Sequence, residues 1–155
     1  MNMLRVSALT IVAMLVGTTS SLAEERKIER GDLPSAVEKT VASESRGAKI
    51  RGFSEEKENG KTYYEAEMIV NGHTKDIQID TSGAIVEVEE QVAMDALPAE
   101  VKAGLQARAG DGKLVKVETI TKKDKLVAYE AQVTKGAKKL EVQVGPNGKP
   151  LDHEE

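Results

Sequence analysis

Side chains capable of making and breaking bonds are scarce in this chain. It has no cysteine and two histidines, His73 and His153. A serine nucleophile would need one of those histidines to meet both a serine and an orienting acid in a rigid setting. His73 follows Asn71-Gly72 in a predicted turn and His153 lies two residues from the last position, so no catalytic residue is assigned. Asp152-His153-Glu154-Glu155, with His73 and Asp76 elsewhere, offers ligand-type groups, but consecutive tail residues cannot close a tetrahedral shell. Asp80-Thr81-Ser82-Gly83 lacks the dense alternating oxygen ligands of a calcium loop. The expectation is no metal and no cofactor.

Carboxylates are the richer resource. Glu65, Glu67, Asp76, Gln78 and Asp80 alternate along two adjacent predicted strands and should share one face, with Glu87 beside them. Like charges directly across a strand pair are destabilising, so such a cluster suits a cationic partner. These five are the candidate partner-binding residues. The plainer reading is a solvated outer face with Lys61 and Lys75 interspersed. Further along, Lys116, Glu118, Glu130, Gln132, Glu141 and Gln143 mix the signs, while Lys122-Lys123-Asp124-Lys125, Lys135 and Lys138-Lys139 put positive charge at turns. Basic turn tips protect edge strands from unwanted pairing.

Composition narrows the partner class. The formal net charge is −4, and it becomes one unit more negative if Arg5 is removed with the leader described below. An acidic excess argues against nucleic acid and anionic membrane surfaces, which recruit clustered Lys and Arg. Phe53, Tyr63, Tyr64 and Tyr129 are the whole aromatic inventory, too few for base-stacking platforms or a carbohydrate cleft. Tyr64 and Tyr129 have apolar neighbours at i+2 and i+4, which makes them core anchors with a hydroxyl at the rim.

The elements that must carry these residues repeat. Tyr64-Glu65-Ala66-Glu67-Met68 aligns with Tyr129-Glu130-Ala131-Gln132-Val133 at a shift of 65, while Leu33-Pro34, Val37 and Val41 align with Leu97-Pro98, Val101 and Leu105 at a shift of 64. Apolar residues four apart after each Leu-Pro predict a short amphipathic helix. Alternation then predicts strands, with hairpin signals at Asn71-Gly72 and Lys135-Gly136. A last short strand is expected at Ile85 to Val88, and its counterpart at Lys149 to Asp152. The expected fold class is α+β: two tandem units, each one helix packed on a four-stranded antiparallel meander sheet. Residues 1–23 have the basic start, apolar stretch and small-residue end of a secretory signal peptide, with an apolar core too short to span a bilayer. The remaining boundaries are a flexible leader at 24–31, unit 1 at 32–90, a connector at 91–96 and unit 2 at 97–155.

The order of Leu-Pro, helix, glycine break, Tyr-Glu-Ala strand, hairpin, apolar strand and glycine turn, present at Leu33 to Glu90 and again at Leu97 to Glu155, resembles the PepSY-like domains. Within them it looks most like the beta-lactamase-inhibitor-like branch. That resemblance implies an exported, non-enzymatic domain, with relatives associated with restraining peptidases or other envelope enzymes, and it carries over no catalytic residue. The matching positions, Tyr64 and Tyr129, Gly83 and Gly148, Leu33-Pro34 and Leu97-Pro98, are those that build the fold. The expected function is therefore an exported binding module of the cell envelope, non-enzymatic, contacting an envelope protein or peptide, with no nucleic acid and no membrane insertion after signal cleavage. The alternative is a periplasmic sensor or carrier of a small ligand or divalent cation.

Overall fold

Eight antiparallel strands form one unbroken sheet in chain order, with two helices on one side of it. The computed structural model describes residues 24–153 and 155. The signal peptide expected at 1–23 lies outside them. In chain order the elements are β1 (Glu24–Ile28), a 3₁₀ turn at Arg30–Asp32, α1 (Ser35–Glu44), β2 (Lys49–Glu58), β3 (Lys61–Val70), β4 (His73–Asp80) and β5 (Ile85–Val92). Then come α2 (Ala99–Ala109), β6 (Lys113–Lys122), β7 (Lys125–Lys135) and β8 (Lys138–Val144).

This overturns the expected fold class of two tandem units. The sheet has no internal boundary, because β5 pairs with β4 through Ile85 to Glu90 and with β6 through Glu87 to Val92. One strand thus serves both halves, and the molecule is mostly β. Two further expectations change with it. Glu24 to Ile28, read as flexible leader, is a strand paired along its length with β2. Lys149 to Asp152, read as a closing strand, forms none. Pro150 stands where Ile85 opens β5, and a proline has no N–H to give the ladder.

Local sequence accounts for the rest. Pro34 and Pro98 stand at the N-caps of α1 and α2, where a fixed φ costs nothing. Val37 and Val41 of α1 are fully buried against Phe53, Tyr64, Ala66, Met68, Ile77 and Ile79. Val101, Leu105 and Ala109 of α2 pack on Val117, Ala131, Val133, Val142 and Val144. Each core is therefore a helix stripe laid on alternate strand residues. Asn71 and Gly72, both at positive φ, make the tight β3–β4 hairpin that matches strand twist. Irregularities at Ile50/Gly52 and Leu114/Lys116, 64 residues apart, bend β2 and β6 at equivalent points.

Two glycine turns dock onto the helices. A Cβ on Gly83, at φ +88, would lie 2.7 Å from the Ala36 carbonyl oxygen, and Thr40 Oγ1 donates to Gly83 O at 2.6 Å. A Cβ on Gly148, at φ +74, would crowd the Glu100 carbonyl oxygen at the start of α2 still more closely. Gly136 has a similar positive φ of +61 but open space around it. Gly83→Ala and Gly148→Ala should each lower stability by about 2 kcal/mol or more, against about 1 kcal/mol for Gly136→Ala, where only backbone strain acts. Urea unfolding midpoints measure this, and equal losses at all three positions would show that the turns are not seated on the helices.

Candidate binding face

Among the described residues no helix or strand packs on the side of the sheet opposite the helices, although Glu155 of the tail reaches it at Gln143 and Lys122, and acids collect there. Strand register builds the face row by row. Glu67 stands opposite Asp76, which stands opposite Glu89; Glu65 stands opposite Gln78, which stands opposite Glu87; Glu118 stands opposite Glu130. Of the five residues named from sequence, four, namely Glu65, Glu67, Asp76 and Gln78, come together as expected from alternation. Asp80 does not join them chemically. Its Oδ1 accepts from Ser82 N at 2.8 Å, Ala84 N at 3.1 Å and Ser82 Oγ at 2.5 Å, so the carboxylate is spent on its own turn. The Ser82 hydroxyl, with the turn amides, holds its pKa below the ordinary range.

The face reaches further than one half of the chain. Glu56 enters from β2, Glu89 from β5, Glu118 from β6 and Glu130 from β7. At its centre Glu56, Glu65, Asp76, Gln78, Glu87 and Glu89 line a hollow of about 200 Å³. Sequence alternation located Glu118 and Glu130 on a strand face but could not place them beside Asp76 and Glu89, because that depends on β5 pairing with β6. Lys75, read as a neutralising charge on this side, faces the helices instead, 3.2 Å from Glu90 and 3.8 Å from Glu44. The cations that do meet the acids are Lys116, 2.6 Å from Glu118, Lys122, 3.3 Å from Glu87, and Lys27, 3.8 Å from Glu67.

These carboxyls are held rather than merely displayed. Glu118 is only 3 % exposed, and it accepts from Thr74 Oγ1 at 2.7 Å in addition to the Lys116 ammonium. Gln78 Nε2 donates to Glu56 and Gln143 Nε2 to Glu130, both at 2.8 Å, and Ser54 Oγ donates to Glu65 at 3.0 Å. Asp76 Oδ1 is buried with no partner among the described residues. Ile120 and Ala128, opposite one another, are buried from solvent next to Glu89. Burial, reinforced by the charge of Glu130 and other neighbouring acids, pushes the Glu89 carboxyl up to about 8. Burial likewise lifts Glu65 to about 7 against the bond from Ser54, and it raises Glu56, Asp76 and Glu130.

Two sequence candidates for other chemistry stay apart. His73 is an exposed residue at the start of β4, and His153 is an exposed tail residue 3.9 Å from Glu155. Among the described residues no group of three His, Asp or Glu side chains is arranged to hold a metal ion, and no helix is long and apolar enough to cross a membrane.

The architecture has relatives among solved structures. A protein described as periplasmic from Bacteroides eggerthii matches with a TM-score of 0.60 at 20% identity, covering 76% of this chain and 85% of its own. A DUF2874 family protein from Bacteroides ovatus matches with a TM-score of 0.57 at 21% identity, over 77% and 84%. A protein described as BLIP-like from Bacteroides fragilis matches with a TM-score of 0.53 at 18% identity, over 75% and 81%. At these identities the likeness establishes the fold. No family model matches the chain, and no curated protein is detectably similar to it in sequence.

The raised carboxyls make stability depend on pH in a defined direction. A folded-state pKa above the unfolded value of 4.5 means that folding favours the protonated form, so the stabilisation is complete below 4.5 and is lost as pH rises through about 7 for Glu65 and about 8 for Glu89. The urea midpoint should therefore be higher at about pH 5 than at about pH 8.5. Glu89→Gln should flatten that slope and raise the midpoint most at the alkaline end. A slope of the opposite sign would mean that these carboxyls are solvated.

Proposed function

We propose that this chain is an exported, non-catalytic binding module of the cell envelope that receives a partner protein on the helix-free face of its sheet. One observation carries the reading: carboxylates from six consecutive strands, β2 to β7, are brought onto one uncovered face although register sets several of them directly against one another. Opposed like charges cost stability, and a cationic partner would turn that cost into binding energy. The partner is an envelope protein or peptide presenting Lys or Arg. Export accords with the signal-like residues 1–23 and with the description of the Bacteroides eggerthii neighbour as periplasmic. Restraint of an envelope peptidase or other enzyme is the form of binding this reading favours, supported by the PepSY-like resemblance and by the BLIP-like description of one neighbour.

A salt-sensitive interaction is the expected signature. The chain from Glu24 to Glu155, immobilised and exposed to envelope extract, should retain a discrete protein at low ionic strength and release it as salt screens the contact. Glu67→Lys and Glu87→Lys should each weaken the purified complex roughly tenfold, while Lys102→Glu, exposed on α2 on the helix side of the sheet, should leave it within about twofold. Undiminished binding by both reversed variants would assign the interaction to another surface.

A further inference from the structure

The two ends of the sheet are halves of one junction. Strand β1 repeats the later part of β5: Glu25 faces Glu56 and Ile28 faces Phe53, just as Glu89 faces Ile120 and Val92 faces Val117, each pair displaced by 64 residues. Strand β8 repeats β4: Tyr64 faces Ile79 as Tyr129 faces Val144. Inside the molecule β4 is covered on its far side by β5, with Lys75 opposite Glu90, Asp76 opposite Glu89 and Ile77 opposite Val88. Among the described residues, strand β8 has no strand beyond it and β1 has none before it.

The segment after β8 fills only part of that position. Gly145 N donates to Lys149 O at 2.8 Å, as Asp80 N donates to Ala84 O at 2.9 Å before β5 begins. Pro150 then replaces Ile85 and no ladder follows, although Glu155 N reaches the Gln143 side chain at 2.9 Å. The consequence is written in exposure. Val142 to Val144 are buried, while Lys138 to Glu141 are exposed, Leu140 among them at 44 %. The open part of β8 is the part that β1's counterpart covers on β4.

We propose that β1 of a second copy of this chain adds to the open part of β8, in the register that β5 takes against β4. Leu140 then faces Arg26 of the second copy and Glu141 faces its Glu25; one step on, Lys139 faces its Lys27. The chain itself carries the fitting strand, already aligned on β2 and with no strand on its outer edge among the described residues. The contact is heterologous, so each addition leaves a β1 and a β8 edge open and the mass grows in steps. Both opposed charge pairs are repulsive, which keeps the association weak at low salt and strengthens it as salt rises. That trend is opposite to the one expected for the acidic face, so the two proposals succeed or fail separately.

Exchange of charge tests the register itself. Sedimentation velocity of the chain from Glu24 to Glu155, which carries every described element, should show a concentration-dependent shift from monomer to dimer and beyond. Glu25→Lys and Glu141→Lys, at exposed positions, should each tighten the dissociation constant about threefold, and the double variant should return it to the unmodified value. Because the chain lacks cysteine, Glu25→Cys and Glu141→Cys can be mixed under oxidising conditions. A disulfide-linked dimer should form in the mixture well beyond either variant alone. A monomer at all concentrations and salts, a double variant tighter than both singles, or cross-linking of one variant with itself in preference to the mixture would each overturn the proposal.

Discussion

Strand β5 holds the molecule together as one sheet. Its eight residues give hydrogen bonds to β4 on one side and to β6 on the other, overlapping at Glu87 to Glu90. The helix-side cores do not merge: the apolar cluster under α1 and the cluster under α2 are separate groups of residues. What joins the halves is therefore chiefly backbone pairing through one shared strand. A small apolar core supplies little stability alone, so two of them benefit from a ladder that neither can leave without exposing its edge.

The same strand creates the candidate face. Pairing β5 with β6 sets Glu89 beside Ile120, brings Glu130 and Glu118 into the field of Glu89, and brings Glu118 into that of Asp76. With no helix above them, Asp76, Glu89 and Glu130 lose water chiefly to their neighbours and to the sheet itself. Burial and the neighbouring acids raise the pKa of each, so crowding is relieved by holding a proton more readily rather than by a shift of strand register. Lys116 and Lys122 relieve part of the repulsion by ion pairing, while Asp76 keeps an oxygen without a partner.

Much of this was legible beforehand. Four-residue spacing in Leu33, Val37 and Val41, and in Leu97, Val101 and Leu105, marked both helix faces, and alternation placed Glu65, Glu67, Asp76 and Gln78 together. Errors fell where a residue's role depended on distant pairing. Glu24 to Ile28 is short and charged, so nothing local announced a strand whose partner lies beyond a helix. Asp80 sat in the right alternation, yet nearby amides in its own turn competed for its carboxylate more successfully than any cross-strand neighbour. Pro150 was the local sign that the last expected strand would not pair.

By itself the amino-acid order determined which residues turn inward on each helix and strand, where the hairpins close, and that no disulfide can form within the chain, which has no cysteine. Those properties depend on neighbours within a few residues, where backbone periodicity and turn geometry act directly. Tertiary structure alone decided that the eight described strands form one sheet, that acids from both halves share a face, and that β1 and β8 are its outermost strands among the described residues. Such outcomes rest on hydrogen bonds between strands whose partners are chosen by the whole fold, and a one-dimensional pattern does not name those partners.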